Sequence, residues 1–179
     1  MDRGTITTMN IDDHIRVIKN FPKSGINFYD LGSLMANAEA WKSAVSQMGE
    51  KLGRYDVDFI MGIESRGFLL AAPLAYELNI GFGMIRKSGK LPGQTVTHAY
   101  ETEYGKDKIE IQLDLVPKGA KVAIIDDLLA TGGTMGASEK LINKLGCEVA
   151  LCLTLIELEG LGGRAKLSAP FETILKKSA

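Results

Sequence analysis

The stretch Val122-Ala123-Ile124-Ile125-Asp126-Asp127-Leu128-Leu129-Ala130-Thr131-Gly132-Gly133-Thr134-Met135 decides the fold. Val122 to Ile125 read as a buried strand that ends in two adjacent acids. A loop of small residues follows, and the pattern from Gly133 to Leu145 predicts a helix. Gly132 and Gly133 let the backbone come close to a ligand, while Thr131 and Thr134 add hydroxyl donors. The first N–H groups of a helix have no partner within it and point into the same space. Together these groups make an anion pocket suited to a phosphate monoester. Asp126 and Asp127, just upstream, can accept hydrogen bonds from neighbouring sugar hydroxyls, so the stretch reads as a ribose-5-phosphate clamp. The plainer reading is a turn capped by acids, but adjacent acids ending a buried strand are costly without partners.

Outward from this stretch the same alternation continues. Val57 to Met61 and Phe82 to Ile85 are short apolar strands. Between them lie a turn, Gly62-Ile63-Glu64-Ser65-Arg66-Gly67, and a helix over Phe68–Leu78 that Pro73 can kink. Residues 87–107, rich in Gly, Lys, Thr and Tyr, read as a loop. Ile109, Ile111 and Leu113 alternate with Glu110, Gln112 and Asp114, which predicts a half-buried strand. Pro117-Lys118-Gly119 is a turn, and Val149 to Ile156 is a further buried strand. Near the start, Ile11, Ile15 and Ile18 behind Asn10 predict a helix ended by Phe21-Pro22. A second helix follows Asn37, with Trp41, Ala44, Val45, Met48 and Leu52 on one face. Apolar strands alternating with helices imply an α/β fold with a mainly parallel central sheet flanked by helices. Ligands in such sheets bind beyond the carboxyl ends of the strands.

The 179 residues fit one domain, the 24% charged content is ordinary for a globular protein, and the net charge of −1 does not suit a protein that coats nucleic acid or an anionic membrane. Cys147 and Cys152 match no metal or redox spacing and read as buried small hydrophobes of a reducing compartment. The N-terminal residues lack a signal-peptide layout, and the longest apolar run is too short to span a bilayer. A cytoplasmic location is therefore expected. No Gly-Lys-Ser/Thr loop and no G-x-G-x-x-G after the first strand occur, which argues against a nucleotide kinase or a dinucleotide site.

Asp126 to Thr134 resembles the phosphoribosyl pyrophosphate signature of the type I phosphoribosyltransferases, and Asp-Asp-Leu-Leu-Ala-Thr-Gly-Gly-Thr is similar to its adenine-specific branch. Four further segments resemble the family in the family's order. Glu64-Ser65-Arg66-Gly67-Phe68 resembles its pyrophosphate loop, and Arg86-Lys87-Ser88-Gly89-Lys90-Leu91-Pro92-Gly93 the start of its mobile loop. Tyr100-Glu101-Thr102-Glu103-Tyr104-Gly105 resembles the end of that loop. Phe21-Pro22-Lys23-Ser24-Gly25-Ile26-Asn27-Phe28 resembles its base-binding segment.

The resemblance implies a type I phosphoribosyltransferase fold, with residues 1–36 as a small N-terminal hood and 87–107 as a mobile catalytic loop. It implies transfer of phosphoribose from 5-phosphoribosyl 1-pyrophosphate to adenine, giving AMP and pyrophosphate with Mg²⁺ held mainly by substrate and water. Asp126, Asp127, Ala130, Thr131, Gly132, Gly133 and Thr134 would bind the ribose phosphate. Ser65, Arg66, Arg86, Lys87 and Lys90 would bind pyrophosphate, next to a cis Glu64–Ser65 peptide. Glu103 would be the catalytic carboxylate near N7 of the base, with Glu101 as its neighbouring competitor, and Tyr104 would help close the loop. Ile26 and Asn27 would read the purine edge, and Phe28 and Leu128 would stack on it. A homodimer is implied, because the arginine matching Arg86 can reach the neighbouring subunit's site in relatives. His98 and His14, each without obvious partners, read as an exposed loop residue and a helix-surface residue.

The sequence departs from the family at Ser24, Asn27 and Tyr29, where Pro, an aliphatic residue and Arg are usual. Asn27 is the one side chain that could favour a 6-oxopurine instead of adenine. A non-catalytic nucleotide-sensing regulator of the same fold would need a basic face or an added nucleic-acid-binding domain.

Overall fold

The computed structural model describes residues 9–102 and 105–178. It divides into two compact units, residues 1–47 and 48–179.

In the first unit, Asn10 caps a single 3-10 turn over Ile11–His14 by accepting from the Asp12 N–H. The predicted helix goes no further. Residues Arg16–Lys19 form strand β1, antiparallel to β2 (Asn27–Asp30). β-Branched Val17 and Ile18 favour extended backbone, and the hairpin leaves them 45% and 36% exposed. Arg16 Nη2 donates to Asp30 Oδ2 at 2.5 Å across this pair. Asp30 also accepts from the Gly32 N–H, capping α1 (Leu31–Met35). Asn37 Oδ1 accepts from the Ala40 N–H at 3.0 Å and starts α2 (Ala38–Leu52). That helix buries Ala44, Val45, Met48 and Leu52 as the spacing predicted, while Trp41 is half-buried.

The second unit holds β3 (Phe59–Ile63), α3 (Arg66–Leu78), β4 (Gly81–Lys87), β5 (Thr95–Thr102) and β6 (Gly105–Gln112). It continues with β7 (Lys121–Leu129), α4 (Gly133–Lys144), β8 (Glu148–Glu159) and β9 (Phe171–Ser178). The strands form one sheet in the order β5-β6-β4-β3-β7-β8-β9. The five from β4 to β9 are parallel, and β6 and β5 extend the sheet antiparallel. Alternation along β3 serves both faces. Met61 and Ile63 join Ile85, Ile124, Leu141 and Ile142 in the core beneath α4. Gly62 faces the other way, where an added Cβ would lie 2.9 Å from Ala71 Cβ on α3. Pro73 sits inside α3.

Three features differ from the sequence reading. β7 does not stop at Ile125 but runs on through both acids, pairing Asp126 with Thr154 and Leu128 with Ile156 on β8. The stretch 87–107 contains β5, paired with β6 from Thr95–Gln112 to Thr102–Gly105. Residues Phe171–Ser178, to which the sequence reading assigned no element, form β9 and pair with β8. Cys147 and Cys152 are buried free thiols, as expected. Burial, with the nearby Glu139 carboxylate, pushes the Cys152 thiol far above its ordinary range. No helix among the described residues is long and apolar enough to cross a membrane.

Candidate active site

Pairing of β4, β3 and β7 aligns their carboxyl ends: Ile63 lies beside Ile85, and Gly62 beside Ile125. Glu64, Lys87 and Asp126 therefore come to one edge of the sheet. Ser65 precedes α3 without capping it through its side chain, and the Glu64–Ser65 peptide is cis. Arg66, in the first turn of α3, donates from Nε to Asp127 Oδ2 at 2.5 Å. Asp127 is buried, and its N–H donates to Asp126 Oδ1 at 2.9 Å. Burial, then the adjacent Asp127 charge, raises the Asp126 carboxyl well above the usual range. Glu64, Ser65, Arg66, Asp126, Asp127 and Leu128 share a cavity of about 280 Å³.

Asp126 and Leu128 to Met135 line a second hollow of about 110 Å³, which brings together Ala130, Thr131, Gly132 and Gly133, the residues expected at the phosphate cup. Gly132 occupies the N-cap of α4 with φ 75°, and no side chain caps the helix, so its first N–H groups remain for a ligand. Thr134 shares its hydroxyl with that of Tyr100 on β5, at 3.2 Å.

The cup leans on a residue the sequence reading missed. A Cβ on Gly163 would lie 2.1 Å from the Ala130 carbonyl oxygen, and one on Gly132 would lie 2.4 Å from that of Gly163. The two loops thus meet backbone to backbone. Arg164 fixes the second loop with bonds of 3.1 and 2.8 Å to the Glu157 carboxylate, while its guanidinium lies 4.7 Å from the centre of the Phe171 ring. The Gly160, Gly162, Gly163 cluster was the available signal.

Two of the predicted pyrophosphate cations, Arg86 and Lys90, pair with Glu64. Its carboxylate accepts from Lys90 Nζ at 2.5 Å, from the Lys87 N–H at 2.9 Å and from Arg86 Nη2 at 3.4 Å. Lys87 Nζ pairs with Asp107 at 3.2 Å. Glu110, also missed, is buried and anchors the turn after β4 by accepting from the N–H groups of Lys90 and Leu91. Burial alone would raise the Glu64 carboxyl, but the bonds from Lys90, Lys87 and Arg86 outweigh it and hold it at about 2. Folded Glu64 thus binds a proton less readily than the unfolded group, whose ordinary value is 4.5. Its contribution to stability is complete above that value and is lost as pH falls from about 5 toward 2. Thermal melts across this range should show a steeper fall for the wild type than for Glu64→Gln. Parallel curves would remove Glu64 from the acid response.

The other predicted residues are placed as follows. Glu103 and Tyr104 lie outside the described residues. Ile26 and Asn27 are exposed in the first unit, and Phe28 on β2 packs edge-on to Phe21, with ring centres 5.2 Å apart. Leu128 is half-buried on β7 in the second unit. His98 corrects its reading as an exposed loop residue. It lies half-buried on β5 with Nδ1 3.2 Å from Lys144 Nζ. Burial and then the Lys144 charge lower its pKa. His14 lies in the 3-10 turn.

Residues 30–176 match the phosphoribosyl transferase domain model. The chain is 52% identical over 167 residues to the adenine phosphoribosyltransferase of Acidiphilium cryptum, spanning 93% of this chain and 98% of that protein. The crystal structure of adenine phosphoribosyltransferase from Thermoanaerobacter pseudethanolicus superposes with a TM-score of 0.91 at 44% identity, covering 96% of this chain and 100% of that one. The Saccharomyces cerevisiae enzyme, solved with adenine and an imino-altritol bisphosphate, gives a TM-score of 0.88 at 37% identity, with 94% and 98% covered. By the match of the domain model to most of its length and by these likenesses, the chain belongs to the phosphoribosyltransferase family, among the adenine phosphoribosyltransferases.

Proposed function

We propose that this protein transfers phosphoribose from 5-phosphoribosyl 1-pyrophosphate to N9 of adenine, forming AMP and releasing pyrophosphate. The observation that carries this reading is the phosphate cup at α4, set beside Asp126 and Asp127 and the cations around Glu64. The cup fixes the 5′-phosphate through backbone N–H groups and the Thr131 and Thr134 hydroxyls. Asp126 and Asp127 orient the sugar by its hydroxyls. Arg66, Arg86, Lys87 and Lys90 then favour departure of the anionic leaving group as the C1′–O bond breaks and the bond to N9 forms. Glu103 manages the proton at N7 of the base. Base recognition is assigned to Ile26, Asn27 and Phe28, and separately to Leu128.

Among the described residues no group of three or more His, Cys, Asp or Glu could hold a metal. The donors at the sugar site, the oxygens of Asp126 and Asp127, suit a hard cation held mainly by substrate and water. When bound there, Mg²⁺ would add positive charge to the leaving pyrophosphate. A homodimer belongs to the same reading, and sedimentation of the dilute protein tests it.

A base panel tests the function. With Mg²⁺ and 5-phosphoribosyl 1-pyrophosphate, adenine should be converted at least about 100-fold more efficiently than hypoxanthine, guanine or xanthine, as expected when a polar edge is misread. Preference for an oxopurine would move specificity to Asn27 and Tyr29. No turnover with any base would favour the nucleotide-sensing regulator.

A further inference from the structure

Each cation assigned to the pyrophosphate subsite already pairs with a carboxylate of its own chain. Arg66 pairs with Asp127, Lys87 with Asp107, and both Arg86 and Lys90 with Glu64. Glu64 differs from the other two carboxylates in what it holds. It gathers the side chains of Arg86 and Lys90 and the backbone N–H of Lys87, all from the single turn at the end of β4. The turn is folded so that Arg86 Nη1 also donates to the Lys90 carbonyl at 3.2 Å. Glu64 is only 12% exposed, yet it lines both the 280 Å³ cavity and an adjoining one of about 360 Å³ shared with Lys87, Tyr100 and Thr134.

The grip is uneven. Arg86 Nη2 and Nε both lie 3.4 Å from the carboxylate, too far for the short paired bonds of a tight arginine–carboxylate fork. Arg86 Nε makes no hydrogen bond although it is buried. Lys90 gives one of its three donors. Both cations are therefore held by charge against a carboxylate that lines the two cavities, with donors left to give. An incoming polyanion would draw on those same groups and would meet the fixed negative charge of Glu64 beside them. Because Glu64 stays ionised at any working pH, that opposition is permanent.

We propose that Glu64 competes with pyrophosphate for Arg86 and Lys90 and so speeds release of this product. The inference rests on the pyrophosphate site proposed above. When pyrophosphate arrives, the two side chains swing part of their donor set from carboxylate to phosphate oxygens. When it leaves, Glu64 takes them back, and the freed cations do not have to be resolvated. The residue acts through Arg86 and Lys90 and is a positioning residue.

Titration calorimetry with inorganic pyrophosphate and Mg²⁺, joined to rapid-mixing kinetics of AMP formation, tests this. Glu64→Gln keeps the shape and removes the charge. It should bind pyrophosphate roughly ten-fold tighter, with a lower kcat, a retained first turnover and a new burst of AMP as release becomes slow. Glu64→Asp keeps the charge but draws it back by one methylene, so its affinity should fall between those of Glu64→Gln and the wild type. Any other order of affinities among folded proteins overturns the proposal. If Glu64→Gln does not fold, Glu64→Asp decides alone: affinity equal to or weaker than wild type refutes it. A wild-type protein that makes AMP and binds pyrophosphate but shows the wrong order defeats only the role of Glu64. A wild type that does neither overturns the site and this inference with it.

Discussion

Replacing Glu103 by Gln is expected to slow the chemical step about 100-fold or more, the span over which one positioned acid–base group contributes. Gln keeps the size and the hydrogen-bonding reach of Glu but cannot take or hold a proton at N7. The effect should appear in single-turnover rates and in kcat/KM together, with the affinity for 5-phosphoribosyl 1-pyrophosphate little changed. Glu101→Gln is the internal control. Glu101 belongs to β5 and pairs in register with Lys106 on β6, and the described ladder ends at Thr102 and Gly105. Glu103 follows in the chain beyond that end. A large loss in Glu101→Gln with a small one in Glu103→Gln would reverse the assignment of the catalytic carboxylate.

Gly163→Ala should cost a comparable amount by another route. The new methyl would fall 2.1 Å from the Ala130 carbonyl oxygen, and neither partner is a side chain that can turn away. One of the two backbones must move. A displacement on the order of 1 Å at a substrate-positioning element can lower kcat/KM roughly 100-fold. The loss should be expressed mainly as a raised KM for 5-phosphoribosyl 1-pyrophosphate, because the cup binds its 5′-phosphate, while the KM for adenine changes little. Circular dichroism and the thermal midpoint separate this from unfolding. A folded Gly163→Ala protein with an unchanged KM would show that the loops can part without consequence.

Gly163 also marks where the sequence stopped being legible. The phosphate cup could be read because its chemistry lies in consecutive residues, an apolar strand, two acids, small residues and a helix start. The brace beneath it comes from 30 or so residues later in the chain, and close approach of two backbones leaves no mark beyond a few glycines. The parallel core was legible for the same local reason: β3 and the start of β7, Val122 to Ile125, are continuous apolar runs, and β8 is nearly so from Val149 to Ile156. β5 was not, since Thr95 to Thr102 mixes polar and aromatic residues whose only organising force is the ladder to β6. The helix expected through Ile18 failed because three apolar residues, Ile11, Ile15 and Ile18, suit a 3-10 turn followed by a hairpin as well as a helix. Glu64 was read as part of a motif, but its grip on Arg86 and Lys90 depends on β4 lying beside β3, which no spacing within one segment encodes.

The two thiols give the molecule a practical property. The reactive species of cysteine is the thiolate, and Cys152, on β8, is closed off from solvent with its ionisation strongly opposed. Cys147 is also enclosed, with Sγ donating to the Pro117 carbonyl at 3.4 Å. Maleimide reagents therefore meet a silent background in the folded protein. A single cysteine placed at an exposed position such as Thr97 on β5 would carry a fluorophore without prior removal of the native pair. The hairpin could then be followed by fluorescence through a full turnover, in a protein that otherwise keeps its own sequence.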